Sequence, residues 1–192
     1  MNEWPTRTDK WIEVDLDAIR HNLKEIRRKM QEGTRLMAVV KANAYGLGAV
    51  PVTRELVKLG VDLFGVTFLT EAMQLRDNEI SEDILVFSPL LYEDYMTAID
   101  NDIIVTAGSG GDLSLIEEAS RQVGKRARIH IKIDTGLGRF GLAVAEAEPV
   151  VQKAYTSIQI NLEGIFTHFA EATEDAYTIK QFNSFLSLLE SL

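Results

Sequence analysis

Residues 36–68 read LMAVVKANAYGLGAVPVTRELVKLGVDLFGVTF. The stretch opens on a short apolar run, Leu36 to Val40, of the length and composition of a buried strand. Lys41 closes that run, and a loop with Gly46 and Gly48 follows. Pro51 suits the first turn of a helix, which the pattern carries to Gly60. A second apolar run, Leu63 to Phe68, then begins. Strand, loop, helix and strand in so short a span predict parallel strands joined by a helical crossover.

The same alternation extends outward from this unit. Further strands are expected at Ile84 to Phe87, Ile103 to Thr106, Ile129 to Ile133 and Leu162 to Phe166. They show little polar alternation, as expected when both faces of a sheet are covered. Helices are expected from Asp15 or Asp17, either of which can cap the first one, with Ile19, Leu23, Ile26 and Met30 as its apolar stripe and Gly33 past its end. Others are expected at about 70–77, 92–100, 112–123 and 145–156. From Asp175 onward Ile179, Phe182, Leu186 and Leu189 form a stripe that predicts a packed helix. A short, more polar strand, Trp11 to Val14, is expected to pair outside the main sheet. The class is α/β with a parallel sheet, and a doubly wound open sheet and a β/α barrel both fit the periodicity.

The count is six strands. A closed barrel needs eight and typically about 250 residues, whereas this chain has 192 and stops within an amphipathic segment. The expectation is an incomplete barrel, residues 1–192 forming one truncated domain with a further domain following it.

Composition narrows the function classes. A formal charge of −9 disfavours non-specific binding to nucleic acid or anionic membranes, which needs basic patches. No apolar run approaches the roughly 18 residues of a membrane span, and the N-terminus lacks a signal-peptide core, so a cytoplasmic location is expected. With no cysteine and three histidines, His21, His130 and His168, thiol chemistry is excluded and a multi-histidine metal site is not expected.

Three segments carry polar groups at strand ends. Lys41 ends the strand at 36–40; a lysine partly withdrawn from water there has a lowered pKa and can attack a carbonyl. In residues 131–141, IKIDTGLGRFG, Lys132 and Asp134 alternate with isoleucines, so both charges are expected on one face, and three glycines present Arg139. In residues 163–169, EGIFTHF, His168 closes a strand. Each has a plain structural reading: a lysine reaching solvent, an edge strand with solvated charges, a structural histidine. Solvated residues unrelated to one another would not be expected to line up on one rim, and the C-terminal strand ends are where α/β sheets and barrels hold ligands.

VVKANAYGLG resembles the cofactor-attachment motif of the alanine racemase family, which usually has His where Leu47 stands. WIEVDLDAIRHNLKEIR, KIDTGLGRFG and LEGIFTHFA resemble further segments of that family, in its order and over essentially the whole chain. The resemblance implies a TIM-type (β/α)8 barrel followed by a β domain, here with about six of eight strands present, and pyridoxal 5'-phosphate as cofactor. It implies that Lys41 forms the Schiff base and acts as one of two bases, and that Tyr45 contacts the cofactor phosphate. Lys132 would be the lysine that is often carbamylated, holding Arg139, and Arg139 would lie near the cofactor's phenolic oxygen and the substrate carboxylate. His168 would orient the opposing catalytic tyrosine, which a partner subunit of a homodimer donates. The implied reaction interconverts L- and D-alanine for peptidoglycan synthesis, and the chain alone is expected to be inactive. Alternatives are a serine or broad-specificity racemase, a non-catalytic pyridoxal-phosphate carrier, and a structural piece without ligand.

Overall fold

The computed structural model describes residues 12–192. The chain begins with α1 (Leu16–Lys29), capped by the Asp15 carboxylate, which accepts from the amides of Asp17 at 2.8 Å and Ala18 at 3.3 Å. Arg27, Arg28 and Lys29 fill its last turn, where cations oppose the helix dipole. There follow β1 (Ala38–Val39), a single turn α2 (Lys41–Tyr45), α3 (Ala49–Lys58), β2 (Leu63–Val66), α4 (Leu69–Asp77), β3 (Asp83–Val86) and α5 (Tyr92–Asp100). The rest is β4 (Ile104–Ala107), α6 (Gly110–Val123), β5 (Ala127–Asp134), β6 (Leu142–Ala143), α7 (Val144–Thr156), β7 (Ile160–Phe166) and α8 (Asp175–Ser191).

All strand pairs are parallel. The main sheet runs β1-β2-β3-β4-β5-β7, and the two-residue β6 pairs only with the C-terminal end of β5, at Ile133 and Asp134. Among the described residues β1 and β7 each pair on one side only. The sheet is thus an incomplete TIM-type barrel. Its six main strands are those expected from the sequence, and both of its faces are covered. Outward-facing residues such as Phe64, Val66, Ile84, Val86, Val105, Ile129 and Ile131 join the helices in the larger core. Leu63, Leu85 and Ile104 form an inner layer with Met37, Phe87 and Phe166. Full burial of such side chains stabilises the fold by about 1.5–3 kcal/mol each. None of the described helices is long and apolar enough to cross a membrane.

Three expectations are corrected. Ile12 to Val14 form no strand; Ile12 is exposed, and a strand exists only where a neighbour supplies its ladder. Trp11 lies outside the described residues. Within α1, Leu23 is buried but Ile26 is half exposed. On α8 the expected packing stripe faces outward: Ile179, Phe182, Leu186 and Leu189 are exposed, whereas Gln181 and Leu188 are buried. The first half of α8 lies over strand ends and loop backbone, whose polar groups require hydrogen-bonding partners, so Gln181 sits there, while Phe185 and Leu188 of its second half pack on the core.

Candidate active site

Five strand ends converge on one cavity of about 520 Å³. β1 contributes Val39 and Lys41, β2 contributes Thr67, β3 contributes Phe87, Ser88 and Pro89, and β5 with its following loop contributes Lys132, Arg139 and Phe140; Phe166, Thr167 and His168 come from the end of β7, and Tyr45 stands at the mouth. All five residues singled out from the sequence, Lys41, Tyr45, Lys132, Arg139 and His168, line it.

Lys41 opens α2, in which Ala42, Asn43, Ala44 and Tyr45 all adopt φ between 51° and 55°. None is glycine, and the left-handed conformation costs residues such as Ala42, Ala44 and Tyr45 roughly 1–2 kcal/mol each, less for Asn43. The turn persists because its own backbone bonds and its neighbours hold it. Ala44 donates to the Val40 carbonyl at 2.8 Å, Gly48 donates to Asn43 at 2.9 Å, and the Asn43 side chain accepts from Ala49 at 2.8 Å. Tyr45 is left 65% exposed.

Lys132 points into the barrel and is 2% exposed. Its Nζ donates to the Phe140 carbonyl at 2.7 Å and lies 4.5 Å from the centre of the Phe140 ring. Arg139 approaches the same ring, at 5.7 Å. Burial pushes the Lys132 amine below its ordinary range; Asp134 opposes the shift and Arg139 adds to it. Burial likewise lowers His168, helped by the positive charges of Arg139, Lys132 and Lys41. None of these cations makes an ion pair with a carboxylate among the described residues.

Asp134 does not serve the cavity, as its alternation with Lys132 suggested. It sits at the strand end, and its carboxylate accepts from the amides of Gly136 at 2.9 Å and Gly138 at 2.9 Å, folding the loop that carries Arg139. Two glycines there are dictated by close approach. A Cβ on Gly141 would lie 3.0 Å from the Asp134 nitrogen, and one on Gly136, at φ +135°, would lie 2.6 Å from the Tyr177 hydroxyl.

Gln181 is a site residue that the sequence reading missed. Fully buried, its Nε2 donates to Thr135 Oγ1 at 3.1 Å and to the His168 carbonyl at 3.2 Å, while its Oε1 accepts from Ala170 at 2.9 Å. Tyr177, one turn earlier, donates to the Gly136 carbonyl at 2.8 Å. The Thr135 and Thr167 hydroxyls meet at 2.8 Å. α8 therefore stitches the Arg139 loop to the His168 strand end. The available signal was a glutamine and a tyrosine at i, i+4 spacing in a helix of otherwise apolar pattern.

Known proteins resemble this chain in sequence and in fold. The family model described as alanine racemase, N-terminal domain, matches residues 14–192. The chain is 41% identical over 187 residues to alanine racemase 1 of Oceanobacillus iheyensis, covering 96% of this chain and 50% of that protein. Among solved structures it resembles alanine racemase of Clostridium difficile 630 in complex with cycloserine, with a TM-score of 0.90 and 35% identity over 93% of this chain and 50% of the other. It also resembles histidine racemase of Leuconostoc mesenteroides subsp. sake, with a TM-score of 0.81 and 25% identity over 88% of this chain and 46% of the other. The chain spans about half the length of the curated relatives it matches. With its motifs, its parallel barrel strands and its match over 14–192, this chain belongs to the alanine racemase N-terminal domain family.

Proposed function

We propose that residues 1–192 are the barrel portion of a pyridoxal-phosphate-dependent alanine racemase, with Lys41 as the covalent attachment point of the cofactor. The observation that carries this is the convergence of Lys41, Lys132, Arg139 and His168, from three separate strands, on one cavity. The donor set fits the group. A primary amine for an aldehyde stands beside uncompensated cations suited to a phosphate, a phenolate and a carboxylate. The volume lies within the range of small-ligand sites.

When bound, the cofactor supplies an electron sink for the charge left at the substrate's α-carbon. The chain's own residues then have distinct work. Lys41 Nζ takes or returns the α-proton on its side of the substrate. Arg139 pairs with the substrate carboxylate. Phe87, Phe140 and Phe166 exclude water, which strengthens every charge interaction inside. Burial, aided by the cationic neighbours, lowers the proton affinity of His168, and in its neutral form the ring can accept a hydrogen bond. Tyr45, at the mouth, presents a hydroxyl to the phosphate. Lys132 is a buried amine that pairs with no carboxylate among the described residues, and its lowered pKa favours the neutral form that adds to carbon dioxide. The resulting carbamate, with loss of a proton, turns a cation into an anion that can hold Arg139.

In this reading the base on the opposite face is a tyrosine of a partner subunit in a homodimer, the location is cytoplasmic, and the product D-alanine feeds peptidoglycan synthesis. A second substrate reading is favoured by one observation, the likeness to a histidine racemase. Racemization of L-alanine, L-serine and L-histidine by the whole protein separates the two.

The first test is covalent. The protein is mixed with pyridoxal phosphate and reduced with borohydride, and the modified peptide is identified by mass. Fixation on Lys41, its absence in Lys41→Ala, and a fall in racemase activity of at least about 10³-fold in that variant are expected. Fixation elsewhere, or full activity in Lys41→Ala, overturns the proposal.

A further inference from the structure

We infer that Glu71 of α4 is a positioning residue for Lys41, holding the strained turn that the lysine opens; the inference rests on the proposed role of Lys41. The left-handed turn satisfies most of its amides internally: Ala44 bonds to Val40, Gly46 to Ala42, Leu47 to Ala44, and Gly48 to Asn43. The Ala42 amide, directly after Lys41, has its partner outside the turn. It donates to Glu71 Oε1 at 2.6 Å, across 29 positions of sequence.

The other carboxylate oxygen is also engaged. Glu71 Oε2 accepts from Thr67 at 2.8 Å and from Phe68 at 3.0 Å. One carboxylate thus ties the end of β1 to the end of β2 through three amides, and such charge-assisted bonds are stronger than neutral ones. On the other side of Lys41, Val40 donates to the Gly65 carbonyl at 2.9 Å. The residues on both sides of the lysine are therefore anchored to β2 or to the helix after it. That fixes the direction in which its side chain leaves the backbone, and placement to within about 0.5 Å is what a reacting group needs.

A purely structural role competes with this one. Glu71 is the third residue of α4, and its bond to the Phe68 amide is half of a capping box; Phe68 has no side-chain acceptor to complete the other half. The two roles separate by substitution. Glu71→Ala removes both. Phe68→Ser in the Glu71→Ala background restores a helix cap through the serine hydroxyl and leaves Ala42 untied.

The whole protein carrying each variant is assayed for melting temperature, hydrogen exchange of the Ala42–Gly46 amides, cofactor fixed to Lys41 by borohydride, and kcat and KM for alanine. Phe68→Ser alone is the control: its melting temperature should equal or exceed that of the parent protein, and its turn protection, fixation and kcat should match the parent, since Phe68 lies outside the cavity. In Phe68→Ser/Glu71→Ala the expected result is a recovered melting temperature, lost exchange protection in the turn, and fixation and kcat reduced roughly 10- to 100-fold with KM little changed. Glu71→Gln, which can accept on one side only, should fall between. Recovery of turn protection and fixation together with the melting temperature in the double variant would overturn the inference and leave Glu71 as a cap only. Should Glu71→Ala not fold, Glu71→Gln decides: parental turn protection and fixation overturn, and partial loss of both supports. The exchange readout needs no cofactor. If the parent protein fixes none on Lys41, the racemase reading fails, whereas the tie between Glu71 and the turn is still judged.

Discussion

The two ends of the barrel strands treat charge in opposite ways. At the N-terminal end Arg128 lies between Asp83 at 2.8 Å and Glu163 at 2.7 Å, and Arg35 reaches Asp62 at 3.2 Å. The carboxylates hold the Arg128 guanidinium well above its ordinary pKa, and Arg128 holds the Asp83 carboxyl below the usual carboxylate range. At the C-terminal end Lys41, Lys132 and Arg139 face one cavity with no carboxylate paired to them among the described residues. Matched charge at the base holds strands together. Unmatched charge at the rim is expensive to the fold and is what an anionic ligand repays, in keeping with the general division of barrels into a stabilising base and a reactive rim.

The comparison can be broken at either end. The largest stability effect is expected at the base. Arg128→Met strands two partly buried carboxylates and should lower unfolding free energy by about 1–3 kcal/mol in urea titration, while leaving cofactor fixation on Lys41 in place. Loss of fixation at unchanged stability would mean that the ends are not separable in this way. The opposite result is expected at the rim. Lys132→Met removes a buried amine that pairs with no carboxylate among the described residues, so stability of the unmodified protein should hold or rise by up to about 1 kcal/mol, while kcat for alanine, on the proposed reading, falls. A marked drop in melting temperature would show that the amine's bond to the Phe140 carbonyl matters more than its desolvation.

The smallest effect lies between the two ends. His130 packs its ring against Gly164 and the Phe166 ring, and burial, opposed by Glu163 and Asp83 and aided by Arg128 and Arg35, depresses its pKa. The folded state therefore binds this proton less readily than the unfolded chain. Stability is full above the unfolded value of about 6.5 and declines as pH falls below it, until the folded pKa is also passed. His130→Asn should flatten the slope of unfolding free energy just below about pH 6.5. A slope unchanged by the substitution would assign it to other groups.

Periodic elements were legible because their causes are local. The Asp15 cap, the helix over Tyr92–Asp100 and the six strands occur where patterning put them. The left-handed turn was not legible, since of Ala42-Asn43-Ala44-Tyr45 only Asn43 tolerates positive φ readily; the bonds of the flanking residues and of Glu71 hold it. The orientation of α8 was also hidden. Its apolar stripe points outward, while the inner face packs Leu188 and Phe185 on the core and uses Gln181 to satisfy the Thr135 hydroxyl, the His168 carbonyl and the Ala170 amide.

By itself, then, the amino-acid sequence determined the alternation of strands and helices, and hence that Lys41, Lys132, Arg139 and His168 share one rim, because strand direction and strand ends follow from hydrophobic period and breaker residues. Only the tertiary structure decided which of those groups lack counter-ions, which backbone is held in strain, and which polar residues of distant elements hold it. Those properties depend on contacts across tens of residues, such as Glu71 with Ala42 and Gln181 with Thr135, which no local pattern encodes.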